Sequence, residues 1–128
     1  LVRLVGINPT SLNWRRFIVA VDGSWRLLGC GQLKPHGKDV VELASIAVQP
    51  DRRNEGIARA VIETLLARAP RPVYLMCRAA LGSFYARWGF RKLELDEMPS
   101  YFRRMAQLVA LLSPLTGEDG GLLVMELK

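Results

Sequence analysis

The sequence predicts an α/β fold of the α+β kind: a mixed, mostly antiparallel central sheet with one parallel strand pair and helices on both faces. Three observations carry that expectation. Phe17–Val21, 25–33 and Val40–Val48 are apolar runs separated only by short turns, which gives three antiparallel strands in succession. Val40–Val48 is followed by a proline turn, an amphipathic helical stretch and a further apolar run at 73–77. Such crossovers are right-handed and set their two strands parallel. The remainder alternates helical and strand-like segments, ending in the run Leu122–Leu127 that closes the sheet.

A chain of 128 residues holds one domain, 1–128, with a single sizeable core. Half of it (50%) is hydrophobic and 23% is charged, a globular and not a disordered composition. The longest apolar runs are too short to span a bilayer, and no basic-then-apolar leader opens the chain, so a soluble cytoplasmic protein with no membrane partner is expected. Cys30 and Cys77 sit in apolar runs without metal spacing and read as small buried hydrophobes. With a single histidine they leave too few ligands for a structural zinc site. The net charge of +6 points to an anionic partner. The arginines are scattered along the chain with no aromatic platform between them, which disfavours nucleic acid.

Residues 1–5 read as the end of an element, and 8–11 (Asn-Pro-Thr-Ser) are turn chemistry, with Thr10 or Ser11 able to cap a short turn into Trp14. Asp22, Gly23 and Ser24 join the first two strands as a hairpin. Gly29 and Gly31 in the second strand suggest a bulge or the close approach of another backbone. A second turn at 34–39 carries His36 as a solvated tip residue. Pro70 and Pro72 stop the helix that begins at Ile57. A short helix at 80–88 ends on Gly89, and 90–95 is a further strand. Residues 99–112 place Phe102, Met105, Leu108, Val109 and Leu112 on one helical stripe, and 116–121 is a flexible turn.

The rest of the chain is organised around the stretch from Ile46 to Ala69. Pro50 ends the ladder and the helical pattern starts at Ile57, so the turn from Gln49 to Glu55 places backbone N–H groups at a helix N-terminus. Such an end binds anions, Gly56 keeps bulk away from it, and Arg52 and Arg53 add positive charge. Taken alone, the same residues are better read as an ordinary strand-to-helix connection with solvated arginines. The run Arg53-Asn54-Glu55-Gly56-Ile57-Ala58 resembles the pyrophosphate loop, Q/R-x-x-G-x-G/A, of the GNAT superfamily of N-acetyltransferases. Downstream, Ser83-Phe84-Tyr85-Ala86-Arg87-Trp88-Gly89-Phe90 is similar to that superfamily's second signature, a helix closing on Tyr-x-x-x-Gly-Phe. The resemblance covers about 14–95 and, more loosely, the final strand. The usual amino-terminal strand and helix are not recognisable.

The resemblance implies an acetyl-CoA-dependent N-acetyltransferase without a metal, acting on a primary amine by direct attack in a ternary complex, its parallel strand pair splayed around the cofactor. The alternative is a degenerate GNAT domain that binds CoA as a sensor or assembly module. On this resemblance, backbone groups of Ile46, Ala47 and Val48 hold the pantetheine arm and amides of Arg53, Asn54, Glu55, Gly56, Ile57 and Ala58 take the pyrophosphate. Tyr85 protonates the leaving thiolate and also borders the cofactor. Arg78 stands where the superfamily often has an asparagine and is a candidate for a CoA phosphate. Glu42 is the one acid in an otherwise apolar strand, and burial without a partner is costly, so it faces a wet cleft or a partner; the superfamily often places its base there. Strict alternation puts it on one face with Val40, Ala44, Ile46 and Val48. Glu55 and Arg59 are spaced for an exposed i to i+4 pair. Asp96, Glu97 and Tyr101 border the expected acceptor cleft, or simply open a helix. The expected partner is a small-molecule or peptide amine, with room for a homodimer.

Overall fold

The computed structural model describes residues 3–6, 17–116 and 121–128. The expected turn at 8–11, Trp14 and most of the turn at 116–121 lie outside the described residues. The chain forms two compact units, Leu1–Pro35 with Val41–Pro70, and His36–Val40 with Arg71–Lys128.

In the first unit four strands run in the order β1 (Arg3–Gly6), β2 (Phe17–Val21), β3 (Leu27–His36) and β4 (Val40–Val48). β1 pairs antiparallel with β2, Arg3 opposite Val21, so residues read as the end of an element form a paired strand. β2 pairs antiparallel with β3 and the register slips between Ala20 and Val21, one step from Gly29. A short 3-10 turn at Pro50–Arg52 leads to α1 (Ile57–Arg68). That helix is amphipathic by sequence: Ile57, Val61, Ile62, Leu65 and Leu66 recur at helical spacing and are all buried. Ala69 leaves the helix in an extended conformation, as the residue before Pro70 must.

The two glycines of β3 make room for this packing. A Cβ on Gly29 would lie 2.8 Å from the carbonyl oxygen of Ala47, a genuine backbone approach. On Gly31 it would lie 2.6 Å from Ile46 Cδ1, 2.7 Å from Val61 Cγ1 and 3.0 Å from Leu65 Cδ1. Gly31→Ala therefore overpacks the β4/α1 seam and should cost about 1–3 kcal/mol in chemical denaturation. A variant as stable as the parent would show that this seam is loose.

β4 departs from strict alternation. Ser45 has φ of 58°, far from strand values, and the two halves of the strand are out of step across it. Beyond Ser45, Ile46 faces α1, and Val48 Cγ2 shares the space at Gly29 with Ile57 Cγ2. A residue at that φ interrupts the alternation of faces, so the face of Ile46 and Val48 does not carry back to Glu42.

The second unit orders its strands β5 (Val73–Arg78), β7 (Leu122–Leu127), β6 (Arg91–Lys92). β7 is central and antiparallel to both neighbours, with Val73 opposite Leu127 and Arg91 opposite Glu126. The strand expected at 90–95 shortens to two residues because Glu94 and Glu97 form a reciprocal capping box that turns the chain into a 3-10 turn. The helix expected at 80–88 divides into a 3-10 turn, Ala79–Leu81, and α2 (Gly82–Ala86). Gly89, at φ of 97°, turns the chain after α2. α3 (Ser100–Thr116) runs longer than expected, and its stripe is buried only at the start: Phe102 is fully buried, whereas Leu108 and Leu112 are exposed. Phe102 centres a core with Tyr74, Leu93, Met98 and Val124. His36 is not a solvated tip. Its ring stacks on Tyr101 with centroids 3.7 Å apart, because the hairpin tip belongs to this second unit. Among the described residues, no helix is long and apolar enough to cross a membrane.

Candidate active site

The strand, turn and helix β4 to α1 bring together most of the residues singled out by sequence. Glu42 lies in β4, 6% exposed, beside the buried Leu43. Ile46, Ala47 and Val48 form the last turn-ward stretch of the strand, and Gln49 N–H still donates to Leu28 O at 2.7 Å before Pro50 ends the ladder. Arg53 is extended, at φ of −71° and ψ of 156°, while Asn54 and Gly56 are both left-handed, at φ of 66° and 78°. Asparagine and glycine are the residues that enter this region most readily, and left-handed residues in a turn aim successive amides into one concavity.

The entrance to α1 is open in two senses. No side chain caps it, and the first helical bond is Ala60 N–H to Gly56 O at 3.0 Å, so helix bonding leaves the amides of Ile57, Ala58 and Arg59 without an acceptor. A Cβ built on Gly56 meets nothing within 4 Å. Twelve residues of helix dipole end on this spot. These features fit the diphosphate of a nucleotide cofactor, whose oxygens need amide donors and room for close approach.

The arginines flanking the loop differ. Arg52 Nε donates to both carboxylate oxygens of Glu55, at 3.1 and 2.9 Å, and its NH1 lies 3.9 Å from Asp22 Oδ2. Glu55 thus pairs with Arg52, and Arg59 pairs with Glu63 at 3.2 Å, in place of the Glu55–Arg59 pair expected from spacing. Helical spacing fails there because Glu55 precedes the helix. Arg53 is exposed and forms no ion pair among the described residues.

The second unit carries Tyr85, on α2, and Arg78, at the exposed end of β5. Tyr85 is 9% exposed within a ring cluster: Phe84, Phe90 and Trp88 lie 5.1, 6.2 and 6.3 Å from it by centroid. Burial pushes its phenol above the ordinary 10.0, and the neighbouring Cys77 adds in the same direction. Cys77 is itself pushed up by burial, so both remain protonated at neutral pH. Cys30 and Cys77 are free thiols, half-buried and buried. Glu97 is engaged by the Glu94 amide at 2.9 Å and by Arg91 at 3.1 Å, which together hold its carboxyl below the usual range. It reads as a capping residue. Tyr101 stacks on His36, and Asp96 is exposed.

A family model described as an acetyltransferase (GNAT) domain matches residues 13–92. The chain belongs to the GNAT acetyltransferase family. Solved structures agree in fold. N-acetylglutamate synthase from Neisseria gonorrhoeae, held with coenzyme A and N-acetyl-glutamate, is 21% identical and superposes with a TM-score of 0.68 over 90% of this chain. The match spans 26% of the synthase, about a quarter of its length. Rv2747 from Mycobacterium tuberculosis, in complex with CoA, is 26% identical, with a TM-score of 0.64 over 89% of this chain and 76% of its own. An acyl-CoA N-acyltransferase from Pseudomonas aeruginosa is 21% identical, with a TM-score of 0.61 over 88% of this chain and 66% of its own. No curated protein matches the sequence. The fold expected from the sequence, a mixed and mostly antiparallel sheet with one parallel pair, is the GNAT fold.

Two features of the site escape sequence reasoning. The left-handed Ser45 has no local signal, since serine is not a residue of that region. The Arg52–Asp22 approach joins residues thirty apart, and only the hairpin geometry brings them near.

Proposed function

We propose that this chain transfers an acetyl group from acetyl-CoA to a primary amine by direct attack, with both substrates bound together. The observation that carries the reading is the α1 entrance, uncapped, with open space at a left-handed Gly56 and, behind it, amides to which the helix gives no acceptor. Its family membership and the coenzyme A held by solved relatives support the choice of cofactor. Acetyl-CoA, when bound, supplies a thioester carbonyl open to attack by an amine.

The chain's own groups divide the remaining work. Backbone groups of Ile46, Ala47 and Val48 hold the pantetheine arm, and the amides from Arg53 to Ala58 bind the pyrophosphate. Arg78 meets a phosphate oxygen of the cofactor. Glu42 accepts the proton of the incoming ammonium, directly or through water, because an amine attacks only through its free lone pair. Tyr85 donates its proton to the departing thiolate. Its raised pKa keeps the donor form intact across the neutral range.

The test is release of the CoA thiol in the presence of a panel of amines. Amine-dependent release is expected from the parent, and Glu42→Gln should lower it by about 10²-fold or more at neutral pH. Acetyl-CoA binding by calorimetry should be retained. An unchanged rate removes Glu42 from the mechanism. Binding without release for any amine would make the domain a CoA sensor.

A further inference from the structure

Beyond the amides themselves, the β2/β3 hairpin tip and the loop are tied by charge. Asp22 Oδ1 accepts the backbone amides of Ser24 at 2.8 Å and Arg26 at 3.0 Å, and the Asp22 backbone closes the tip through bonds with Trp25 and Arg26. The amides hold the Asp22 carboxyl below its usual range, so it stays ionised. Its other oxygen faces Arg52, whose Nε is forked by Glu55. Asp22 and Arg52 are each about a quarter exposed, at 22% and 27% of the side chain. A second pair, Arg26 to Asp51 at 2.8 Å, crosses the same gap with the opposite polarity, but both partners are more than half exposed and such pairs contribute little.

A basic residue beside a phosphate loop is ordinarily read as a counter-ion. Arg52 fits that role poorly, because Glu55 forks its Nε and the Asp22 carboxylate lies 3.9 Å from its NH1. We propose that Arg52 is a positioning residue: forked by Glu55 and facing the Asp22 carboxylate, it braces the turn that holds Asn54 and Gly56 left-handed, and so presents the amides of 53–58 ready for the diphosphate. The inference rests on the cofactor reading above. Its physical basis is pre-organisation: holding Asn54 and Gly56 left-handed on either side of Glu55 costs backbone entropy, and a brace that meets this cost before binding leaves more of the binding energy as affinity.

The sign of one substitution separates a brace from a counter-ion. Asp22→Asn removes a negative charge close to where a polyanion binds. If charge alone mattered, acetyl-CoA would bind more tightly, and the gain would vanish in high salt. The brace predicts the opposite: Asp22→Asn and Arg52→Ala each weaken acetyl-CoA by about tenfold by calorimetry, and the Asp22→Asn loss persists in high salt. Arg52→Lys keeps the charge but not the forked geometry and should recover only part of the affinity. The second measurement needs no cofactor. Backbone order at 54–58, measured by NMR relaxation in the unliganded protein, should fall in Asp22→Asn and Arg52→Ala, while that of α1 beyond its first turn stays as in the parent. Equal or tighter binding by Asp22→Asn, or unchanged loop order, overturns the brace. A parent that binds no acetyl-CoA would instead refute the cofactor reading, and the relaxation result would still decide whether Arg52 braces the loop.

Discussion

Gly56→Val should abolish the rise in melting temperature expected of the parent protein with acetyl-CoA. At a cofactor concentration a hundredfold above its dissociation constant, the parent should gain about 2.7 kcal/mol, or roughly 10 °C for a domain of this size. Two effects of the substitution must be kept apart. A Cβ at position 56 clashes with nothing in the unliganded protein, so sterics alone leave its melting point untouched. The φ of 78° is a different matter, because a β-branched residue is strained there and should cost the unliganded protein about 1–2 kcal/mol. Gly56→Ala carries backbone strain with the least bulk and calibrates this term. The Val side chain fills the space the anion needs, so its lost ligand response should exceed that of the Ala variant. A Val variant whose melting point rises with acetyl-CoA as much as the parent's would mean that the diphosphate sits elsewhere.

The elements around this loop are legible in sequence to the residue. β2, β4 and β7 have the expected limits, and α1 starts at Ile57, because apolar periodicity and punctuation by proline and glycine agree there. Legibility ends where a distant partner decides. The strand at 90–95 carries good strand residues, yet the capping box between Glu94 and Glu97 and the pairing of Arg91 with Glu126 turn the chain after Lys92. The second half of the α3 stripe has the right spacing but stays exposed, because periodicity predicts a face and not what covers it. In the candidate site, the spacing of glycine and arginine is written in the sequence. The strand slip at Ser45 and the engagement of Arg52 are not, since both depend on backbone conformation and on a neighbour from another hairpin.

Replacing Tyr85 by phenylalanine should lower turnover by about 10²-fold or more with little change in acetyl-CoA affinity. The argument starts from the leaving group. A thiolate departing from a tetrahedral centre gains from a proton delivered as the carbon–sulfur bond breaks, and the donor must hold that proton at working pH. Tyr85 is buried among aromatic rings, and burial disfavours its phenolate. The donor form therefore persists to a higher pH than the ordinary 10.0, and the alkaline limb due to this group should lie above that value. Stability follows the same sign. A raised folded-state pKa contributes stability that is complete below the unfolded value and is lost as pH climbs through the folded one, so Tyr85→Phe should flatten the stability profile only above pH 10. The replacement keeps the ring and its packing against Phe84 and Phe90, so the thermal midpoint at neutral pH reports whether the core is intact. A Phe variant with parental turnover on a good acceptor, while single-turnover measurements show chemistry to be limiting, would take the proton from Tyr85 and give it to water.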